Sequence, residues 1–157
     1  MTLASVHLES HGDPAQRDAE LAALLEALDV YAPNAPALVG GDVNTHSLGL
    51  AELEDHAALA RALRADPGRL ADPIRYEPLF ERMERAGFDR HACNAPGAAT
   101  ERRRSAQGSL RGTLHLDWFF ARGLEVSAPE VIAAVDPATG EALSDHEAIA
   151  VTIRPAS

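Results

Sequence analysis

Ala37-Leu38-Val39-Gly40-Gly41-Asp42-Val43-Asn44 runs from three apolar residues through two glycines to an acid and an amide two positions apart. The apolar start predicts a short strand, and the glycines carry it into Asp42 and Asn44. On the N-terminal side, Tyr31-Ala32-Pro33-Asn34-Ala35-Pro36 reads as a turn. Before it, Leu21, Leu24, Leu25 and Leu28 recur at the spacing of one helical face, and Asp13-Pro14 supplies an N-cap followed by proline at the first helical position. Leu3-Ala4-Ser5-Val6-His7-Leu8 reads as a strand with Ser5, His7 and Glu9 on one face and Ala4, Val6 and Leu8 on the other. Strand, long helix, strand is a crossover unit, and it predicts an α/β fold.

Beyond Asn44, the Ala- and Leu-rich stretch 48–65 predicts a helix, as does Glu77 to Ala86, which Gly87 would terminate. Residues 92–112, with Pro96 and the run Arg102-Arg103-Arg104, read as an exposed, mobile loop. Thr113 to Ala121 alternates, with Leu114, Leu116, Trp118 and Phe120 on one face and His115 and Asp117 on the other. Val131 to Val135 and Glu147 to Ile153 read as strands around a turn at Asp136-Pro137-Ala138-Thr139-Gly140.

At 157 residues, with 46% hydrophobic and 24% charged residues, the sequence suits one globular domain over 1–157. Twenty-four acidic against fourteen basic residues leave a net charge of −10. That balance argues against nonspecific nucleic-acid binding, and an aromatic content of 4% leaves few platforms for base stacking. The lone Cys93 excludes an internal disulfide and a multi-cysteine zinc site. No stretch predicts a membrane span, and the N-terminal residues lack the pattern of a secretory signal, so the expected location is cytoplasmic.

Four polar groupings can carry chemistry: His7, the Asp42/Asn44 pair, Asp117, and Ser144-Asp145-His146. Each has an innocent reading, since Asp and Asn cap turns and a loop Asp often precedes a strand. Asp117 in an aromatic strand is harder to dismiss, because a carboxylate there needs a polar site or a partner. Together they suit one chemistry. Asp42, Asn44 and Asp145 offer hard oxygens for Mg2+ or Mn2+. A histidine beside such an ion can act on a phosphoryl oxygen, and a second carboxylate can hold its ring in one tautomer. Asp117 is the natural partner for His146 if both lie on strands of one sheet. Other groupings rank lower: His7 with His11, Asp42 with His46, the thiol of Cys93 near His91, and the arginine run as a phosphate contact.

In order along the chain, Val6-His7-Leu8-Glu9-Ser10, Arg17, Leu38 to Thr45, Leu116-Asp117-Trp118-Phe119-Phe120 and Leu143-Ser144-Asp145-His146 resemble the endonuclease/exonuclease/phosphatase superfamily of metal-dependent phosphohydrolases. The resemblance implies a four-layer α/β sandwich of two mixed sheets flanked by helices, with this chain as its C-terminal part. It implies hydrolysis of a phosphate ester by water, with His7, Asp42, Asn44, Asp117 and His146 catalytic and Asp42, Asn44 and Asp145 at the metal. His146 would contact the scissile phosphate and Asp117 would orient it. Substrates across the family include DNA, RNA, inositol phosphates and sphingomyelin.

Two departures accompany the match. Family members begin with a further half-domain that supplies an asparagine and a metal-binding glutamate; this sequence has no counterpart of either. His115 stands where many members carry arginine. The expectation is therefore an N-terminally truncated domain, one sheet with helices mainly on one side, whose bare face calls for a dimer or a missing-half partner. The alternatives are a catalytically inactive remnant or half-domain serving as an interaction or assembly module, and an unrelated α/β binding domain.

Overall fold

A computed structural model describes residues 1–10, 13–45, 76–104 and 110–156. Strand β1 (Thr2–His7) and strand β2 (Ala37–Asp42) lie parallel, paired from Thr2↔Ala37 to His7↔Asp42, and helix α1 (Pro14–Tyr31) crosses between them. The Asp13 side chain accepts a hydrogen bond from the Gln16 N–H at 2.8 Å, so the helix starts where the Asp-Pro pair predicts. The turn after it closes with Asn34 at φ 57°, and Thr2 N–H donates to the Pro36 carbonyl at 2.8 Å. Strand β5 (Asp117–Arg122) completes the sheet, antiparallel to β2 from Ala37↔Arg122 to Asp42↔Asp117.

Both glycines of β2 serve close approach rather than a turn. A Cβ on Gly40 would lie 2.4 Å from the Phe119 ring, and one on Gly41 would lie 2.0 Å from the Val6 carbonyl oxygen. Gly41 also has φ of 140°, a conformation that favours glycine.

One face of this sheet meets α1 and the helix α2 (Pro78–Arg85). Leu21 and Leu28 of α1, Leu79, Phe80 and Met83 of α2, Val39 of β2 and Phe120 of β5 form the core with Trp118. Phe80 meets Trp118 edge to face at 5.0 Å. Helix α2 ends on Gly87 at φ 80°, where the Phe88 N–H reaches back to the Met83 carbonyl and the Gly87 N–H to that of Glu84. Arg82 donates to Asp18 at 2.6 Å and joins the two helices at their surface.

At the bottom of that interface lies a buried ion pair. Arg17 of α1 is 1% exposed and Glu77, just before α2, is 0% exposed. The guanidinium donates to both carboxylate oxygens, at 2.6 and 3.3 Å, and to the Glu9 carbonyl at 3.4 Å. The pair thereby ties α1, α2 and the chain leaving β1 together.

Residues 92–112 differ from the expected loop. They hold strand β3 (Glu101–Arg104) and most of β4 (Leu110–Leu114), an antiparallel hairpin. Cys93, Asn94 and Thr100 are buried, because this segment covers the outer edge of β5. There Asp89 exchanges both backbone hydrogen bonds with Ala121 at 2.8 Å. The Asn94 amide spans the N–H and carbonyl of Phe119 at 2.8 Å, and the Thr100 hydroxyl accepts the Asp117 N–H at 3.0 Å. The alternation from Thr113 to Ala121 is also not one strand. It breaks at His115 and Leu116, where the Leu116 N–H donates to Thr100 Oγ1 and its carbonyl accepts from Val43.

Strands β6 (Leu124–Ile132) and β7 (Ala148–Pro155) pair antiparallel, with an irregularity between Ser127 and Glu130. β6 starts seven residues before the strand expected at Val131 and stops at Ile132; Val135 instead makes an isolated bridge to Ala142. The class is α/β, as expected. Among the described residues, however, the strands form a three-stranded sheet and two hairpins rather than a single sheet, and both α1 and α2 lie on one face of the former. The helix expected over 48–65 lies outside the described residues. No described helix is long and apolar enough to cross a membrane.

Removing one partner of the Arg17–Glu77 pair strands a charge in the core. Glu77→Ala should lower unfolding free energy by about 3–5 kcal/mol in urea denaturation, while Arg17→Met combined with Glu77→Leu should recover most of it. Equal losses in the single and double variants would show that the pair is not what the core depends on.

Candidate active site

The pairing register builds the site. His7 ends β1, Asp42 ends β2 and Asp117 begins β5, and the register sets these three residues side by side. The row lies on the sheet face away from the two helices, at the carboxyl ends of the parallel strands, where open α/β sheets place their ligands. His7 Nε2 is 3.6 Å from Asp42 Oδ2, with the imidazole 76% exposed.

Asn44 joins through the turn after β2. Its N–H donates to Asp42 Oδ1 at 2.8 Å, and its Nδ2 donates to the Leu8 carbonyl at 2.7 Å. Asn44 adopts φ of 50°, a conformation that asparagine tolerates better than most residues. The turn hydrogen bond that serves as the bland reading of Asp-x-Asn is present, and it orients Asp42 within the row.

His146 comes from the chain just before β7. Its Nδ1 is 2.7 Å from Asp117 Oδ2, and its Nε2 is 3.9 Å from Asp42 Oδ2. A carboxylate acceptor makes Nδ1 the protonated nitrogen, which leaves Nε2 facing Asp42. The expected partnership with Asp117 is present, but not for the reason of a shared sheet. β7 pairs with β6, whereas Asp117 lies in the sheet of β1 and β2, and His146 itself bridges Glu101.

Asp42, Asp117 and His146 each offer a ligand atom, all within 4.8 Å of one another. Asp145 is exposed and acts on His146 as a nearby negative charge. His7 stands at the open side of Asp42.

The charges respond to this crowding. Burial raises the Asp42 carboxyl above its ordinary value, and the Asp117 charge adds to the rise, against the Asn44 N–H and the two imidazoles that lower it. For His146, burial disfavours the charged ring. The hydrogen bond to Asp117 and the charges of Asp117, Asp42 and Asp145 outweigh it and raise the group above an ordinary histidine.

Several candidates stand apart from the cluster. His115 is buried, its Nδ1 bonded to the Ala98 carbonyl at 2.8 Å and its ring 4.3 Å from that of Trp118; burial lowers its pKa. Burial and the Asp89 charge push the Cys93 thiol up to about 11, the opposite of what a nucleophile needs. His11 and His46 lie outside the described residues. Sequence reading missed Thr100 and Asn94, because a lone polar residue in a segment without periodicity carries no signal of burial.

No protein-family model and no curated protein matches this sequence. Solved structures match it in fold. A functionally unknown conserved protein from Enterococcus faecalis V583 superposes with a TM-score of 0.65 at 17% identity, over 98% of this chain and 49% of that one. The endonuclease domain of TRAS1, a telomere-specific non-LTR retrotransposon, gives 0.56 at 14% identity, over 91% and 54%. An endonuclease/exonuclease/phosphatase from Beutenbergia cavernae DSM 12333 gives 0.56 at 15% identity, over 96% and 34%. The chain thus spans about half or less of the length of these structures. Its sheet, crossover helix and hairpins share the fold of these structures.

Proposed function

We propose that this chain carries the metal- and histidine-bearing part of a hydrolase that cleaves phosphate esters with water. The observation that carries the reading is the meeting of Asp42, Asp117 and His146 from three separate segments of the chain. The fold of phosphoesterases and nucleases supports it.

The residues present fit a divalent cation such as Mg2+ or Mn2+. Asp42 and Asp117 offer hard oxygens, and Asp42 is crowded by a like charge and by burial that a cation would offset. Of the three residues that the family resemblance gives to the metal, Asp42 lies in this cluster and Asn44 is bonded to it through its N–H, whereas Asp145 is exposed and outside the cluster. Bound there, the cation would supply charge neutralisation at the phosphoryl group.

The chain's own groups do the rest. Asp117 holds the His146 ring in one tautomer and keeps it protonated to higher pH. The protonated Nε2–H then donates to a phosphoryl oxygen as negative charge builds there. His7, on the open side of Asp42, contacts the same phosphoryl group. Water adds to phosphorus and gives up one proton to solvent, the ester P–O bond breaks, and the leaving alkoxide takes up one proton from solvent and departs as the alcohol.

The test is hydrolysis of bis(p-nitrophenyl) phosphate with millimolar Mg2+ or Mn2+. Asp42→Ala and His146→Ala should each lower kcat roughly 100-fold or more while keeping a cooperative melt. Turnover equal to the parent in either variant would move the reaction elsewhere. The cation alone should raise the melting temperature, by roughly 5–10 °C when in hundredfold excess over Kd, and Asp42→Ala should abolish that shift. A parent protein that melts at the same temperature with and without the ions would refute the cation site.

Protonation of His146 sets a pH dependence. With its pKa raised in the folded protein, activity falls as pH rises through that value. Asp117→Asn removes the charge that raises it, so the alkaline limb of kcat should move to lower pH. A limb that stays in place would show that another group is titrating.

A further inference from the structure

The dyad of Asp117 and His146 spans two separate parts of the fold, and its two halves reach each other through a third segment. Asp117 opens β5 of the three-stranded sheet, whereas His146 precedes a strand that, among the described residues, pairs with β6. Thr100 lies between them and is fully buried.

The hydroxyl and the carbonyl of Thr100 serve this junction. Its hydroxyl oxygen accepts the N–H of Leu116 at 2.9 Å and of Asp117 at 3.0 Å. These fill the two acceptor positions of a hydroxyl. Its carbonyl accepts the Glu147 N–H at 2.7 Å, and its own N–H donates to the Leu114 carbonyl at 2.8 Å. The next residue, Glu101, forms the bridge to His146. Side chain toward Asp117 and backbone toward His146, one residue therefore sets the spacing of the 2.7 Å imidazole–carboxylate contact.

We propose that Thr100 is a positioning residue for the Asp117–His146 dyad, its hydroxyl holding the backbone of one member while its carbonyl holds the chain of the other. The role in turnover rests on the hydrolase reading above; the role in geometry does not. A displacement on the order of 1 Å at a reacting group lowers rate by about 100-fold, so a residue with no contact to substrate can act strongly on kcat. Substrate binding would change little, because Thr100 is buried and its hydrogen bonds go to backbone groups.

Thr100→Val keeps the shape and removes the hydroxyl; Thr100→Ser keeps the hydroxyl. The first readout is the downfield proton resonance of His146 Nδ1–H in its bond to Asp117, assigned by its loss in His146→Ala. The second is kcat and KM for bis(p-nitrophenyl) phosphate with Mg2+ or Mn2+. Thr100→Val should melt cooperatively, lose or broaden the resonance, and lower kcat roughly 10- to 100-fold with KM within twofold. Thr100→Ser should restore both. The proposal is overturned if Thr100→Val keeps the resonance and kcat, or if Thr100→Ser loses them equally. It is also overturned if Thr100→Val no longer melts cooperatively, since Thr100 then holds the fold as a whole. If the parent protein shows no turnover at all, only the hydrolase reading falls, and the resonance in the two variants still decides the geometry.

Discussion

Asp42 and Asp117 stand directly opposite each other where β2 and β5 begin to part. Like charges in that relation repel, and here both carboxylates are half-buried, so the repulsion is poorly screened. The surrounding structure is arranged to answer it. The Asn44 N–H bonds one oxygen of Asp42, and His146 bonds Asp117 while its far nitrogen turns toward Asp42. His7 adds a second imidazole from β1. The position of each helper follows from the strand register, because a shift of one residue would send these side chains to the face packed by α1 and α2.

The elements that carry this row, though not their register, were legible in the sequence. The crossover unit follows from the leucine stripe of α1 between two strand patterns, and the Asp-Pro cap marks its start within a residue. The residues His7, Asp42, Asn44, Asp117 and His146 stand out as polar groups at strand ends, and the structure brings them together. Other features were not legible, for physical reasons. Alternation from Thr113 to Ala121 suggests an unbroken strand because side-chain pattern does not report a backbone whose N–H groups are captured by a threonine hydroxyl. β6 escapes notice up to Val131 because Pro129 and an irregularity between Ser127 and Glu130 interrupt its alternation. Glu77 gives no hint that it is buried, since only the arrival of Arg17, sixty residues away in sequence, makes its burial tolerable.

The segment from Asp89 to Glu101 shows how an irregular stretch can be as specified as a strand. It satisfies the outward N–H groups of β5 at three alternate residues by three different means: backbone at Ala121, a side-chain amide at Phe119, and a hydroxyl at Asp117. An exposed edge invites pairing with another chain, and this edge is covered without a further strand. The hydroxyl is the contact nearest the candidate site. It is also the one at which the same residue turns its carbonyl to the chain that carries His146, so edge protection and site construction converge there.

Stability and chemistry oppose each other in this cluster. Asp42 has a raised pKa, so the folded state holds its proton more tightly than the unfolded chain does. Its contribution is present at acid pH and is lost as pH rises through the folded value; at neutral pH the ionised group is a net burden. His146 is also raised, and its stabilising contribution is complete below the ordinary histidine value and fades as pH climbs through the higher folded one. Near neutrality, then, the fold carries a carboxylate it would rather protonate beside an imidazole it would rather keep charged. A core built for stability alone would remove one of them. Their meeting in one row fits the proposed site: a cation would relieve Asp42, and an anionic phosphate would be met by the charged ring of His146. The same crowding that costs the fold stability is what would give the proposed reaction its hold on both the metal and the phosphoryl oxygen.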